Sequence, residues 1–220
     1  MKKMSPEKLK ELLRVFLVEN AKLNLSALRT EETCWVGNIL DSLALLEILP
    51  HLSSPVASNQ SQVASRQSPV ASRSLIDIGT GGGFPLLPIA ISLPEWKCTG
   101  LDATRKKLDA ISRISNALHL NNVELIWGRA EEIAKDNKYA GSFDVVTSRA
   151  VAPLKKLLPW CAPFAKPSGH IVLWKSLGIE EEVKEAESIT RKLECTLAFT
   201  HKYTLPDPFG TRQLLMYTHA

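Results

Sequence analysis

Apolar residues recur through the N-terminal part of the chain at three- and four-residue steps, the spacing of amphipathic helices. From Ser5 to about Asn20 the stripe is Leu9, Leu12, Leu13, Phe16 and Leu17, with Lys8, Lys10, Glu11 and Arg14 between them. From about Glu31 to Leu49 it is Trp35, Ile39, Leu40, Leu43, Leu46 and Leu49, and Pro50 ends it. Two helices are therefore expected before any strand.

After Arg73 the pattern changes to short apolar runs alternating with helical stretches. Strands are expected at Leu75 to Ile78, Lys97 to Leu101, Val123 to Trp127, Phe143 to Thr147 and Ile171 to Trp174. Helices are expected at Leu86 to Leu93, Arg105 to Leu120, Pro153 to Phe164 and Ile179 to Lys192. Such alternation implies a mostly parallel sheet covered by helices on both faces. Two late strands, Thr196 to Tyr203 and Gln213 to Tyr217, have no helix between them and suggest an antiparallel edge hairpin.

Residues 53–73 fit neither pattern. Ser54-Pro55-Val56-Ala57-Ser58 returns as Ser68-Pro69-Val70-Ala71-Ser72, with a partial copy at Val63-Ala64-Ser65-Arg66. Lacking aromatic residues and large aliphatic ones beyond valine, this stretch reads as a disordered insertion. The chain then divides into a helical extension (1–52), the insertion (53–73) and an α/β domain (74–220).

Composition narrows the function classes. With 220 residues, 45% hydrophobic and 23% charged, the chain has ordinary globular usage. Cys34, Cys98, Cys161 and Cys195 form neither a close metal-binding pair nor a dense disulfide framework, which fits reduced thiols in a cytosol. No uninterrupted apolar core follows Met1-Lys2-Lys3, and no run is long enough to cross a bilayer, so a cytoplasmic protein without membrane attachment is expected. His51, His119, His170, His201 and His219 lack metal-ligand spacing, and no metal is implied. The net charge of +4 is compatible with a nucleic-acid partner without requiring one.

The sharpest signal is Leu75-Ile76-Asp77-Ile78 running into Gly79-Thr80-Gly81-Gly82-Gly83-Phe84-Pro85. Glycines permit positive φ and close approach of a ligand to the backbone, and Pro85 suits a first helical position. The dinucleotide pattern G-x-G-x-x-G fails, because its third glycine would fall on Phe84 or Leu86. What remains is G-x-G-x-G, the spacing of methyltransferase motif I. Asp102, ending the next strand, fits either a helix cap or an acceptor for ribose hydroxyls; its place beyond the turn favours the ribose. Thr104 follows it. The third strand leads into Ala130-Glu131, where an adenine ring would lie in this fold class, and the fourth ends in Ser148-Arg149-Ala150, with Arg149 at the same cleft.

Together these residues resemble one family, the bacterial 16S ribosomal RNA guanine-N7 methyltransferases (RsmG, or glucose-inhibited division protein B). The resemblance spans most of the chain: Asn24-Leu25-Ser26-Ala27-Leu28-Arg29, Ile39-Leu40-Asp41-Ser42-Leu43, the Asp77 to Pro85 turn, Leu101-Asp102, Arg105-Lys106-Lys107, Arg129-Ala130-Glu131-Glu132, Phe143-Asp144, Ser148-Arg149-Ala150 and Trp174-Lys175. It implies a Rossmann-like class I methyltransferase fold, with a mostly parallel seven-stranded sheet and an N-terminal helical extension. S-adenosylmethionine would be the cofactor, on Gly79, Phe84, Ala130, Glu131 and Arg149, with Asp102 on the ribose and Gly81 and Gly83 shaping the turn. The substrate would be a guanosine of 16S ribosomal RNA or of the small ribosomal subunit, and the enzyme a monomer.

Candidates for phosphate contacts are Arg29, Arg105, Lys106, Lys107, Lys155, Lys156, Lys175 and Arg212, with Trp160 and Trp174 as stacking or core residues. Departures from the family pattern are Gly37-Asn38, where a basic residue and a histidine are usual, Leu86 and Ser176 in place of glycines, the missing basic C-terminus after Tyr217, and the insertion.

Overall fold

The computed structural model describes residues 5–53, 73–149 and 152–219. The chain opens with helix α1 (Pro6–Leu23), then α2 (Glu31–Cys34), a π-helical turn (Trp35–Leu40) and α3 (Asp41–Glu47). The second expected helix is thus one helical path with a widened turn at its centre. The repeats of the 53–73 insertion lie outside the described residues, as does Ala150.

The rest alternates: β1 (Ser74–Ile78), α4 (Leu86–Ser92), β2 (Lys97–Asp102), α5 (Arg105–Ala117), β3 (Val123–Trp127), α6 (Ala130–Ile133), β4 (Phe143–Arg149), α7 (Leu154–Cys161), β5 (Ala165–Ser176), α8 (Glu180–Lys192), β6 (Cys195–Thr204) and β7 (Thr211–His219). These strands make a seven-stranded sheet in the order β3-β2-β1-β4-β5-β7-β6. Pairings from β3 across to β5 are parallel, and β7 runs antiparallel between β5 and β6. The late pair is the expected antiparallel hairpin, with β6 on the edge. Helix α4 begins at Leu86, as its apolar run suggests, and Pro85 stands at the N-cap, one position before the first helical residue.

Strand side chains alternate between two cores, the period-two rule for a sheet covered on both faces. Leu75, Val145, Val172, Leu214 and Met216 join α1, α3, α4 and α5 on one side. Ile76, Val146, Leu173, Leu215 and Tyr217 join α7 and α8 on the other. The N-terminal helices share the first core with the sheet: Leu9, Leu12 and Phe16 of α1 are buried there. Glu19 of α1 reinforces the contact, accepting Arg113 of α5 through Nη2 and Nε at 2.6 and 3.0 Å, and this pairing first of all holds its carboxyl below the usual range.

Candidate functional site

Parallel sheets gather their loops at the carboxyl ends of the strands, and the chemistry-bearing residues converge there. At the end of β1 the chain turns through Gly79, Gly81 and Gly83, whose φ angles of 72°, 57° and 89° lie in the left-handed region that favours glycine. The Leu101 carbonyl accepts the Gly79 and Thr80 amides at 2.8 and 3.0 Å, pinning the turn to β2. Asp102 Oδ2 accepts the Gly81 amide at 2.9 Å, and its Oδ1 accepts the Thr104 amide at 2.7 Å. Each of these carboxylate oxygens keeps acceptor capacity for another donor.

Beneath the turn, Asp77 is buried, and its Oδ1 accepts the Thr147 hydroxyl at 2.9 Å. Its Oδ2 has no hydrogen-bond partner among the described residues. Burial pushes this carboxyl up to about 6, with the Asp102 charge adding to the push and the Thr147 hydroxyl and the Arg149 charge opposing it.

Two cavities meet on Gly79, Asp102 and Ala103. The smaller, about 160 Å³, has apolar walls from Ile78, Leu101 and Trp160 and the chain at Gly128, Ala130 and Glu131. The larger, about 410 Å³, is bounded by the glycine turn, Phe84, Lys107 and Arg149, and on its other side by Leu25, Ser26 and Asn38 of the N-terminal segment. Beside Gly81 there is open space: a Cβ built there meets nothing nearer than the Gly79 carbonyl oxygen at 3.7 Å.

Arg149, at the end of β4, reaches from the sheet to the extension. Its Nη1 donates to the Gly37 carbonyl at 2.9 Å and to Asp41 Oδ2 at 2.7 Å, and its Nη2 donates to Asn38 Oδ1 at 3.1 Å. The guanidinium carbon lies 5.8 Å from the Phe84 ring centre, and Phe84 meets Phe16 of α1 edge-on at 4.7 Å.

Gly79, Phe84, Asp102, Ala130, Glu131 and Arg149 are thus brought together. Gly83 lines neither cavity; a Cβ there would come within 2.7 Å of Leu87 Cδ1, so its place is in the packing of the turn onto α4. Thr104 also lines neither cavity and contributes its amide to Asp102.

The basic candidates separate. Lys175 donates to Glu182 and to the Ala152 carbonyl at 2.6 and 2.9 Å, with its side chain only 11% exposed. Arg212 pairs with Asp41 at 3.0 Å, and Arg29 donates to Asn24 Oδ1 at 2.7 Å. Lys106, Lys155 and Lys156 are exposed. Arg105 lies over the ring of Trp127, 5.4 Å from its centre, and that ring is 57% exposed. Of the two stacking candidates, Trp174 is core, its Nε1 donating to the Asp41 carbonyl at 2.8 Å, and Trp160 is a cavity wall.

A family model described as rRNA small subunit methyltransferase G (GidB) matches residues 5–208. The chain belongs to this family. The ribosomal RNA small subunit methyltransferase G of Carboxydothermus hydrogenoformans is 35% identical over 204 residues, 93% of this chain and 79% of that protein. That of Thermoanaerobacter sp. (strain X514) is 34% identical over 187 residues, 85% of this chain and 70% of its own. Among solved structures, an O-methyltransferase from Bacillus cereus in complex with SAH matches at a TM-score of 0.63 and 17% identity, covering 95% of this chain and 90% of that one. TYW2 of M. jannaschii in complex with AdoMet matches at 0.52 and 17% identity, over 67% of this chain and 68% of its own. The family makes the chain a small-subunit rRNA methyltransferase, with a fold that solved methyltransferases share.

Gly37 and Asn38, where the sequence reading expected a departure from the family pattern, are both tightly packed. A Cβ at position 37 would come within 2.4 Å of Phe209 Cε1 and 2.5 Å of Leu28 Cδ1, so the glycine admits the loop that precedes β7. Asn38 is buried and occupied by Arg149 and, at 3.4 Å, by Ser26. Sequence reasoning missed Asn38, Ser26 and Leu25 as walls of the cavity. Their proximity to Asn24-Leu25-Ser26 and Ile39-Leu40-Asp41-Ser42 was the available signal.

Proposed function

We propose that this enzyme methylates N7 of one guanosine in 16S ribosomal RNA, acting as a cytoplasmic monomer on the small ribosomal subunit, with S-adenosylmethionine held in the two joined cavities. The carrying observation is that Gly79, Asp102 and Ala103 are common walls of both cavities. The donor set fits the cofactor piece by piece. Asp102 suits ribose hydroxyls, the Ile78, Leu101 and Trp160 walls suit an adenine ring, and the Arg149 guanidinium suits the carboxylate of the amino-acid end.

When bound, S-adenosylmethionine supplies an electrophilic methyl group on a sulfonium. Guanine N7 carries an in-plane lone pair and no proton, so no residue need act as a base. What this chain contributes is alignment: the glycine turn and Asp102 fix the donor, and the surrounding side chains exclude water. Well-oriented reactants gain up to about 7 to 11 kcal/mol from such positioning.

The RNA reaches the site across the rim at the start of α5. Arg105, Lys106 and Lys107 crowd its first turn with no acid among them, an arrangement unfavourable to the helix dipole and suited to phosphates. Exposed Trp127 beside them offers a face on which an unstacked base can lie.

Labelled methyl transfer to small subunits lacking the modification, with the product mapped by cleavage at N7-methylguanosine, tests the reaction. Label at a single guanosine, lost in Asp102→Ala, is expected. Cofactor binding without transfer to the subunit would move the proposal to another substrate.

A further inference from the structure

A buried carboxylate at the centre of four elements sets the geometry of Arg149. Asp41, fully buried at the junction of the π-helical turn and α3, receives Arg149 and Arg212 on Oδ2 and the Tyr203 hydroxyl on Oδ1 at 2.6 Å. Its carbonyl receives Trp174 Nε1. The same stretch offers Arg149 the Gly37 carbonyl and Asn38 Oδ1.

Three donors of Arg149 are thereby committed: both on Nη1 and one on Nη2. The Nε–H has no acceptor among the described residues, and Nη2 carries two hydrogens for the one Asn38 acceptor, so donors remain on the guanidinium for a carboxylate. π-helical turns recur at functional sites because the widened turn redirects backbone groups. Here the turn carries the Gly37 carbonyl to an arginine that lines the larger cavity.

We propose that Gly37, Asn38 and Asp41 form a positioning clamp that holds Arg149 with its remaining donors available to the carboxylate of the methyl donor, so that the N-terminal extension completes the cofactor site. The clamp rests on reading the joined cavities as the S-adenosylmethionine site. None of the three residues acts on the reacting atoms; Asp41 and Asn38 act through Arg149. The carboxylate is the only anionic group on the donor, so a correctly held Arg149 distinguishes ligands that carry it from ligands that lack it.

The test compares binding of S-adenosylhomocysteine with that of 5′-methylthioadenosine, which retains the nucleoside and lacks the amino-acid carboxylate. Titration calorimetry on the full chain is run for the wild type, Asp41→Asn, Asn38→Ala and Arg149→Lys, with circular dichroism confirming that each is folded. Asp41→Asn and Arg149→Lys are expected to weaken S-adenosylhomocysteine by about ten- to a hundredfold, the scale of a charge-assisted pair. Methylthioadenosine should change by less than about twofold, the error expected between independent sites. Asn38→Ala, which leaves the buried charge in place, should shift the same ratio in the same direction by a smaller factor and keeps the test decisive if Asp41→Asn does not fold. Equal weakening of both ligands, or no change in their ratio in the folded variants, overturns the clamp. A wild type that binds neither ligand overturns the cofactor site itself and the clamp with it.

Discussion

The Gly81 amide donates to Asp102 Oδ2 at 2.9 Å, so the residue proposed to hold the ribose also closes the glycine turn. Two functions on one carboxylate give a graded expectation. Asp102→Ala leaves the Gly81 and Thr104 amides without their acceptor; Gly81 is half-buried and Thr104 exposed, so water can replace it and the loss for each stays at or below about 1 kcal/mol. Asp102→Asn keeps one good acceptor oxygen and presents a donor to the other amide. Cofactor affinity, measured by titration with S-adenosylhomocysteine, should fall at least about tenfold in both variants, because either change removes a charged acceptor. The melting temperature should fall further in the alanine variant. Wild-type affinity in Asp102→Ala would remove Asp102 from the site.

Asp77 gives a pH dependence of defined sign. Its folded-state value of about 6 lies above the usual 3.8, so between those values the native state holds the proton more tightly than the unfolded chain. Stability therefore falls as pH rises from about 4 through about 6 and is level above that, by a total of about 3 kcal/mol from this group. In Asp77→Asn that fall should be missing. Urea unfolding of both proteins across pH 4 to 7 reads it directly; parallel curves would show that burial does not perturb this carboxyl.

How much was visible beforehand depended on how local its cause was. Leu75, Ile76 and Ile78 declare a strand buried on both sides, because side-chain alternation is a property of the strand itself. Gly79, Gly81 and Gly83 declare the turn, since only their residue type suits the φ angles found there. The π-helical turn was invisible: the spacing of Trp35, Ile39, Leu40 and Leu43 suits an ordinary helix equally well, and the difference lies in backbone hydrogen bonds. The partners of Arg149 were equally hidden, since Asp41 stands 108 residues away in the chain. Lys175 and Arg212 looked like surface cations until Glu182 and Asp41 were placed against them.

Gly37 should resist any side chain. Alanine there would place Cβ against Phe209 Cε1 and Leu28 Cδ1, at 2.4 and 2.5 Å, so both side chains must move. Overpacking of this kind costs about 1–3 kcal/mol, or about 2–4 °C per kcal/mol in a chain of this size. Phe209→Ala in the Gly37→Ala background should recover part of the loss, because it removes the nearer obstacle. Calorimetric melting of the two single variants and the double variant checks this; strictly additive losses would mean that the two residues do not collide.

The basic residues should divide by salt dependence. A phosphate contact releases counterions, so removing one lowers the slope of log K against log salt by about 0.7 to 1. Lys106 is exposed on the first turn of α5, so Lys106→Ala should weaken RNA binding and flatten that slope while leaving S-adenosylhomocysteine affinity unchanged. Trp127→Ala should weaken binding by the stacking contribution, about 1–3 kcal/mol per base, with the slope intact, because a ring face carries no net charge. Lys175→Ala should do neither directly. Its ammonium is held by Glu182 and the Ala152 carbonyl, so the loss should appear as a lower melting temperature of the free protein. Fluorescence anisotropy with a labelled 16S fragment, repeated at several salt concentrations, separates the three. A flattened slope in Lys175→Ala with none in Lys106→Ala would place the RNA on the β5–α8 side of the sheet instead of the α5 rim.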